Sequence, residues 1–488
     1  MKKVLISHSY FYRFDKKQWE TREPYPPLMT LIAAALMRRN GFEVQLFDSC
    51  LEESEQAIVP ILESFEPDYF VVFDDGFNYL TKMCLTTMRE AAFRMQQLAK
   101  SKGAVTITCS SDSTDHLQKY LTHGGDYVIK GEGETTLEEL INTIESGEDT
   151  KHVKGISYIV NGKVINNPPR GVNRNLDDLP FPAWDLIDVE AYRKIWMQKG
   201  GPFYLNIATT RGCPYKCNWC AKPIYGNRYN VRSPKLAVDE IAHHVEKYQV
   251  DHFWMCDDIF GLKPGWVQSF RDELAARNLS IKYKIQSRAD LLLQEDNIDA
   301  LVASGLDEVW IGAESGSQNI LDAMDKGTSI AQIQEATRIL KKKGVKVAFF
   351  IQFGYLGETR EDIDKTIDLV LDLMPDKLGA SVSYPLPGTK FYDMVKQDLK
   401  EKSNWTDSDD LDMMFKNTYS RKFYKILHRY LHNRHRIRRG AIALKDMFIK
   451  PRSMNRARFK HVAAMGLHIP EAIFNQSQLK MLEQKNEI

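Results

Sequence analysis

Cys213, Cys217 and Cys220 lie in the stretch Thr209-Thr-Arg-Gly-Cys-Pro-Tyr-Lys-Cys-Asn-Trp-Cys220, with three residues and then two between them. That spacing lets one loop wrap a compact metal centre. A four-iron cluster saturated by protein takes four thiolates, so three from one loop leave one iron open to a non-protein ligand. Zinc is the competing reading, with Cys256 or a histidine as fourth ligand. Structural zinc sites, however, normally join one short Cys knuckle to a second close pair, and this chain has no second close pair.

The loop resembles the signature of the radical S-adenosylmethionine (radical SAM) superfamily, which has the same two spacings and an aromatic residue, here Trp219, before the last cysteine. The resemblance implies a 4Fe-4S cluster on Cys213, Cys217 and Cys220, whose open iron chelates S-adenosylmethionine and whose electron cleaves it to a hydrogen-abstracting 5'-deoxyadenosyl radical.

Elements that place such a loop can be read from the pattern of apolar runs. From Phe203 onward, strands are expected near Leu205–Thr209, His252–Cys256, Lys282–Gln286, Glu308–Gly312, Val347–Phe353 and Ala380–Ser383, with helices between them. Ser233-Pro234 marks one helix start, an N-cap followed by proline at the first helical position. Six βα units do not close an eight-fold barrel, so the expected architecture is a partial (β/α)6 TIM barrel with its site at the carboxyl ends of the strands. The expected strands end in Asp257-Asp258, Ser287-Arg288, Glu314-Ser315 and Gly354 with Gly357-Glu358-Thr359. These match the superfamily's Asp-Asp, Ser/Thr-Arg, Gly-x-Glu-Ser and Gly-Glu-Thr segments, with Leu356 where proline is usual. The implied S-adenosylmethionine contacts are Tyr215, Trp219, Asp257, Arg288, Glu314 and Ser315, with Arg288 offering a cation to the carboxylate and the acids accepting from hydroxyl and amino groups. A structural ion pair between Arg288 and Glu314 is the alternative. Tyr384, in Ser383-Tyr-Pro-Leu-Pro-Gly-Thr389, either faces substrate or plugs the barrel.

Residues 1–145 carry the alternation of a parallel sheet covered by helices: strands at Val4–Ser7, Glu43–Phe47, Tyr69–Phe73, Val105–Cys109 and Tyr127–Ile129, helices at Leu28–Arg39, Tyr79–Ala99 and Glu134–Ile144. This predicts a flavodoxin-like (Rossmann-like) α/β domain whose ligand lies beyond the strand carboxyl ends. No Gly-x-Gly-x-x-Gly follows the first strand, which argues against a dinucleotide. Pro24-Tyr-Pro-Pro-Leu28, Gly41-Phe-Glu-Val44, Phe47-Asp48 and Lys130-Gly-Glu-Gly-Glu134 together resemble the cobalamin-binding domain of one radical SAM branch. The resemblance implies a cobalamin site at Tyr25, Pro26, Pro27, Gly131, Glu132, Gly133 and Glu134. Ordinary structural turns are the alternative. Asp-x-His-x-x-Gly is absent, so no histidine is expected on cobalt, although His8 and His116 are formal candidates. Cys50, Cys84 and Cys109 raise a further possibility, the second cluster of a methylthiotransferase, against which buried apolar thiols are the preferred reading.

Between the two, residues 146–200 read as a linker: a hairpin through Asn161-Gly162, then Leu179-Pro-Phe-Pro-Ala-Trp-Asp185, connector and not core. The radical SAM barrel is assigned residues 201–400 and a helical, basic C-terminal region 401–488. There the acidic run Asp407–Asp412 precedes a segment, Arg421 to Lys460, rich in Arg and Lys with Asp446 as its one acid. Phe423, Ile426, Leu427, Tyr430 and Leu431 recur at helical spacing, so a basic amphipathic helix is expected, able to meet an anionic partner or membrane surface or simply to pack on the barrel. No RNA-binding module is recognised, and no nucleic acid is expected. Residues from Gln476 to Ile488 read as a frayed end.

The 488 residues are 43% hydrophobic and 27% charged, enough for two or three ordinary cores. A net charge of +1 gives no general attraction to nucleic acid. Seven cysteines without a disulfide pattern, no signal-peptide h-region after Met1-Lys-Lys and no run of roughly 20 apolar residues predict a cytoplasmic, soluble enzyme. The whole pattern is similar to cobalamin-dependent radical SAM enzymes, the class B methylases and the anaerobic magnesium-porphyrin ester cyclase. It implies methylation of an unactivated carbon of a small molecule, served by an external electron donor such as flavodoxin or ferredoxin. Oxidation or rearrangement without methyl transfer, a two-cluster methylthiotransferase and a non-enzymatic metal- or carrier-binding module are the alternatives.

Overall fold

The computed structural model describes residues 1–77, 85–222, 224–399, 415–449 and 455–484. Cys84, the first residues of the helix expected over Tyr79–Ala99 and the acidic run Asp407–Asp412 lie outside them.

Five parallel strands, β1 (Lys3–Ser7), β2 (Glu43–Phe47), β3 (Tyr69–Phe73), β4 (Val105–Cys109) and β5 (Tyr127–Ile129), pair in the order β2-β1-β3-β4-β5. This is the flavodoxin-like order expected. Strand β3, Tyr-Phe-Val-Val-Phe, is buried at every position, as a central parallel strand covered on both faces must be. Helices α1 (Leu28–Arg39), α2 (Thr86–Ser101) and α3 (Glu134–Glu145) belong to the same α/β layer. Pro27 has no side chain to cap α1, but the fully buried Asp75 carboxylate receives the backbone N–H groups of Leu28 and Met29.

The hairpin β6 (Ile156–Val160) and β7 (Lys163–Asn166) turns through Asn161 (φ 49°) and Gly162 (φ 75°), the two positive φ values that a tight two-residue turn demands. It corrects the reading of this segment as connector. Strand β6 pairs antiparallel with β5, so the hairpin extends the sheet to seven strands. An edge strand of only three residues leaves unpaired backbone groups, and the hairpin satisfies them.

Strands β8 (Leu205–Ile207), β11 (His252–Met255), β12 (Lys282–Ser287), β13 (Leu306–Glu314), β14 (Lys346–Phe353) and β15 (Lys377–Val382) form a second sheet in sequence order. The pairs β8–β11, β11–β12, β13–β14 and β14–β15 are parallel. The short strands β9 (Thr210–Arg211) and β10 (Asn230–Val231) make a separate antiparallel pair. Helix α4 (Pro234–Tyr248) starts as expected, Ser233 accepting from the backbone N–H of Leu236. Helix α5 (Arg360–Leu373) starts on a Thr359/Asp362 capping box, so Leu356 in place of proline leaves that start intact.

The described residues divide into two compact units, one taking Met1–Pro214 and Lys222–Ile285, the other Tyr215–Ala221 and the residues from Gln286 on. In the second unit α6 (Arg421–Ile449) buries Phe423, Ile426, Leu427, Tyr430 and Leu431, the expected apolar face. Helix α7 (Arg456–Gln484) packs along α6, and Gly440 admits the close approach: a Cβ there would lie 2.8 Å from the His461 carbonyl oxygen. The frayed end expected from Gln476 is therefore wrong; the helix continues to Gln484 and buries Leu479, because its partner surface is contributed by a distant segment. Among the described residues no helix is long and apolar enough to cross a membrane.

Candidate active site

The cysteine loop leaves β8 through a turn held by Asp257. This buried carboxylate accepts from Thr209 N (2.7 Å), Thr210 N (2.6 Å) and Thr209 Oγ1 (2.6 Å). Burial pushes its pKa up to about 6 against those hydrogen bonds. Asp257, expected to contact S-adenosylmethionine, thus spends both oxygens on the loop entry. Gly212 follows at φ 80°, where an added Cβ would sit 2.4 Å from the Arg228 carbonyl oxygen. Only glycine fits.

Cys213, Cys217 and Cys220 form no disulfide, and each is partly exposed. Among the described residues no group of three His, Cys, Asp or Glu side chains is gathered to hold a metal ion, so the thiols share a loop without forming a ready-made cage. Cys256, the fourth zinc ligand of the competing reading, is buried with its Sγ donating to the Ile207 carbonyl at 3.3 Å. Cys50 and Cys109 are buried as well, and burial pushes both thiols well above their ordinary range, as suits packing residues and not cluster ligands.

Asn218, overlooked in the sequence, anchors the middle of the loop within the second unit. Its side chain donates to the Ala323 carbonyl (2.7 Å) and accepts from Tyr355 Oη (2.9 Å), while its backbone N–H donates to Met324 O (3.0 Å) and its carbonyl accepts from Phe391 N (3.0 Å). Trp219 packs against the apolar cluster of Ile320, Met324, Tyr355 and Phe391, and its buried Nε1 has no acceptor among the described residues.

Two cations stand near Cys217. The Arg288 guanidinium lies 3.7 Å from the Tyr215 ring centre and 3.8 Å, through Nη1, from Cys217 Sγ. Asp290 (3.0 Å) and the Gly327 carbonyl (3.3 Å) hold its other nitrogens. Burial opposes the Arg288 charge, but Asp290 and Cys217 outweigh it and raise the pKa. The second cation, Lys326, pairs with Glu314 at 2.8 Å, both side chains buried, and feels Cys217 as well. Arg288 and Glu314 therefore have separate partners and do not pair with each other. Gly312 makes room for the second pair, since a Cβ there would meet Lys326 Nζ at 2.6 Å and Glu314 Oε1 at 2.8 Å. Glu314 itself sits at φ 57°, where the β13–β14 register shifts. A left-handed non-glycine residue costs roughly 1–2 kcal/mol, strain of the kind kept at working sites.

The other expected contacts are buried in the protein's own bonding. Ser315 Oγ meets Thr366 Oγ1 at 3.1 Å. Glu358 accepts from Gly354 N at 2.6 Å while its Oε1 has no partner among the described residues, and burial pushes its pKa up to about 8. Tyr384 is buried.

In the first unit, Glu132 and Glu134 grip Arg211, two residues ahead of Cys213, in a buried two-carboxylate pair. Gly133 is needed for packing, its Cβ position lying 2.3 Å from Cys109 Sγ. Tyr25 accepts from Lys284 Nζ at 2.6 Å, and that ammonium is ringed by Tyr25, Trp196, Tyr204 and Trp254 at 4.6–5.7 Å. Pro26 offers its carbonyl to Asn206 (2.9 Å), and Pro27 precedes α1. Of the two glycines expected at cobalamin, Gly131 is the less crowded: φ is 77° and, among the described residues, an added Cβ would meet Ile224 O in ordinary van der Waals contact at 3.7 Å. A glycine without a tight packing contact is compatible with a bulky flat ligand approaching its backbone. His8, the formal axial candidate, is buried, with Nε2 on Asp48 (3.0 Å) and Nδ1 near Ser49 Oγ (3.3 Å).

The radical SAM superfamily profile matches residues 207–370, so this segment of the chain is similar to a radical SAM domain. It is 26% identical over 441 residues to an uncharacterised methyltransferase of Pyrococcus horikoshii, spanning 87% of this chain and 90% of that one. It is 30% identical over 374 residues to the anaerobic magnesium-protoporphyrin IX monomethyl ester cyclase of Rubrivivax gelatinosus, spanning 74% of this chain and 65% of that one. The structure of the cobalamin-dependent S-adenosylmethionine radical enzyme OxsB, with aqua-cobalamin and S-adenosylmethionine bound, superposes with a TM-score of 0.71 at 19% identity, covering 96% of this chain and 71% of that one. At that identity the likeness is one of fold, and the fold is the expected one: a flavodoxin-like domain followed by a radical SAM barrel.

Proposed function

We propose that this protein is a cobalamin-dependent radical SAM enzyme that methylates an unactivated carbon of a small molecule. The observation that carries the reading is the neighbourhood of Cys217: a free thiol in a three-cysteine loop with Arg288 Nη1 at 3.8 Å. When bound, a 4Fe-4S cluster with S-adenosylmethionine supplies a carbon-centred radical and cobalamin supplies the methyl group.

The chain's own residues bind and orient. Cys213, Cys217 and Cys220 give three thiolates and no fourth, which suits a cluster with one iron left for a ligand. Arg288, whose planar guanidinium is held by Tyr215, Asp290 and Gly327, offers an oriented cation to a carboxylate, a geometry lysine cannot reproduce. Asp257 and Asn218 hold the loop's entry and middle. Gly131, at φ 77° and without a tight packing contact, would let a corrin approach the backbone of the domain of residues 1–145, and residues 201–400 would supply the radical chemistry. An external flavodoxin or ferredoxin is the electron source, the compartment is the cytoplasm, and the basic C-terminal helix contacts an anionic partner.

The cyclase relative supports a second reading, oxidation or rearrangement without methyl transfer. Anaerobic purification with metal analysis, followed by turnover with methyl-labelled S-adenosylmethionine, separates the readings. About four irons and one cobalt per chain, with label in the product, is the expected result. Turnover without label selects the second reading; about eight irons and no cobalt would remove both. Cys217→Ala is expected to abolish cluster binding and S-adenosylmethionine cleavage while cobalt remains.

A further inference from the structure

The outer face of α7 is apolar where a solvated helix would be polar. Leu467, Phe474 and Met481 follow one another at seven-residue steps, two helical turns each, and Phe459 and Ile473 lie beside that line. All five are exposed, Leu467 at 72% and Phe474 at 63%, while the opposite face buries Leu479 and Ala472. Pro470 sits inside the helix on the same outer side, so α7 carries apolar residues on its outer face as well as on its packed one. A helix of that kind in a folded protein is covered on both faces.

Charge says what covers it. The described parts of α6 and α7 hold thirteen lysines and arginines, nine on α6 and four on α7, against Asp446, Glu471 and Glu483. Arg456 and Lys460 are exposed on the outer line itself, and Lys480 is exposed to one side of it, near the position of Ile473 on the helix face. A second copy of the chain would bring the same excess against itself. A surface of anionic headgroups would neutralise it and take the apolar side chains into the acyl boundary. We infer that the outer face of α7 docks on an anionic lipid surface, lying on it and not crossing it. This deepens the reading of the C-terminal helices as a contact for an anionic partner and names the partner. It does not involve the cysteine loop, so the two readings fail separately.

Flotation of the full-length protein with phosphatidylcholine vesicles, with and without phosphatidylglycerol, tests the inference. Partition onto the anionic vesicles is expected to exceed that onto neutral ones by about tenfold or more and to fall as salt rises. Leu467→Ser/Phe474→Ser is expected to lose about tenfold of that partition with an unchanged melting temperature and unchanged iron content, and Arg456→Gln/Lys460→Gln to lose a smaller part. Equal partition of wild type and the serine variant overturns the inference, as does equal partition onto neutral and anionic vesicles. A concentration-dependent dimer in sedimentation equilibrium, abolished by the serine variant, overturns it in favour of a second copy. Failure to bind vesicles, with capture of an acidic protein that the serine variant releases, overturns it in favour of a protein partner.

Discussion

Arg288 Nη1 stands 3.8 Å from Cys217 Sγ while the same guanidinium lies flat on Tyr215, 3.7 Å from the ring centre. The thiol proposed to bind iron and a cation able to take a carboxylate are thereby held side by side. Replacing Arg288 with lysine keeps the charge but loses the stacking and the fork that reaches both Asp290 and Gly327. Arg288→Lys is expected to weaken S-adenosylmethionine binding by about ten- to a hundredfold in equilibrium dialysis, with iron per chain unchanged. Wild-type affinity would contradict the assignment of Arg288 to the ligand carboxylate.

The buried pair of Lys326 and Glu314 gives a double-mutant test. Lys326→Met strands the Glu314 carboxylate away from water, at a cost of about 3–5 kcal/mol. Adding Glu314→Gln removes the stranded charge and is expected to restore most of that loss, measured by chemical denaturation. Additive effects would show that the two groups are not coupled.

Glu358 sets a pH dependence. Burial raises its folded pKa from 4.5 to about 8, so the folded state prefers the protonated carboxyl. The stability it contributes is complete below about pH 4.5 and is lost as pH rises through 8. Glu358→Gln imitates the protonated form. The variant is expected to match wild type near pH 5 and to exceed it by on the order of 2–4 kcal/mol near pH 8.5. Thermal melts at the two pH values check this, and parallel profiles for the two proteins would refute it.

Gly212→Ala places a methyl group 2.4 Å from the Arg228 carbonyl oxygen on backbone at φ 80°. The neighbour is backbone and cannot step aside as a flexible side chain would. A destabilisation of about 2 kcal/mol or more is expected, with a lower iron content after reconstitution because the loop entry shifts. Calorimetry with iron analysis would show both, and a fully loaded, equally stable variant would rule out a steric role.

Much of this architecture was legible locally. Each expected strand lies within three residues of the observed one at either end, because a buried parallel strand announces itself as a short apolar run wherever it is placed. Cap signals at Ser233 and Thr359 are local hydrogen bonds and were readable for the same reason. Edge completion is not local. Nothing within the hairpin β6–β7 states that β5 is short and leaves its outer side unpaired, and nothing after Gln476 states that α6 covers Leu479.

The order of residues alone determined the chemistry that can be asked of this protein: three thiols at fixed separation in one loop, behind one parallel α/β pattern and ahead of another, since spacing along a chain is covalent. Only tertiary structure decided what each charged group is for. Arg211 takes Glu132 and Glu134, Lys284 takes Tyr25, Asp257 takes the loop backbone, and Arg288 is left beside Cys217. The partner of a buried charge is chosen by the cost of leaving it unpaired among residues distant in sequence, and that competition is settled in three dimensions.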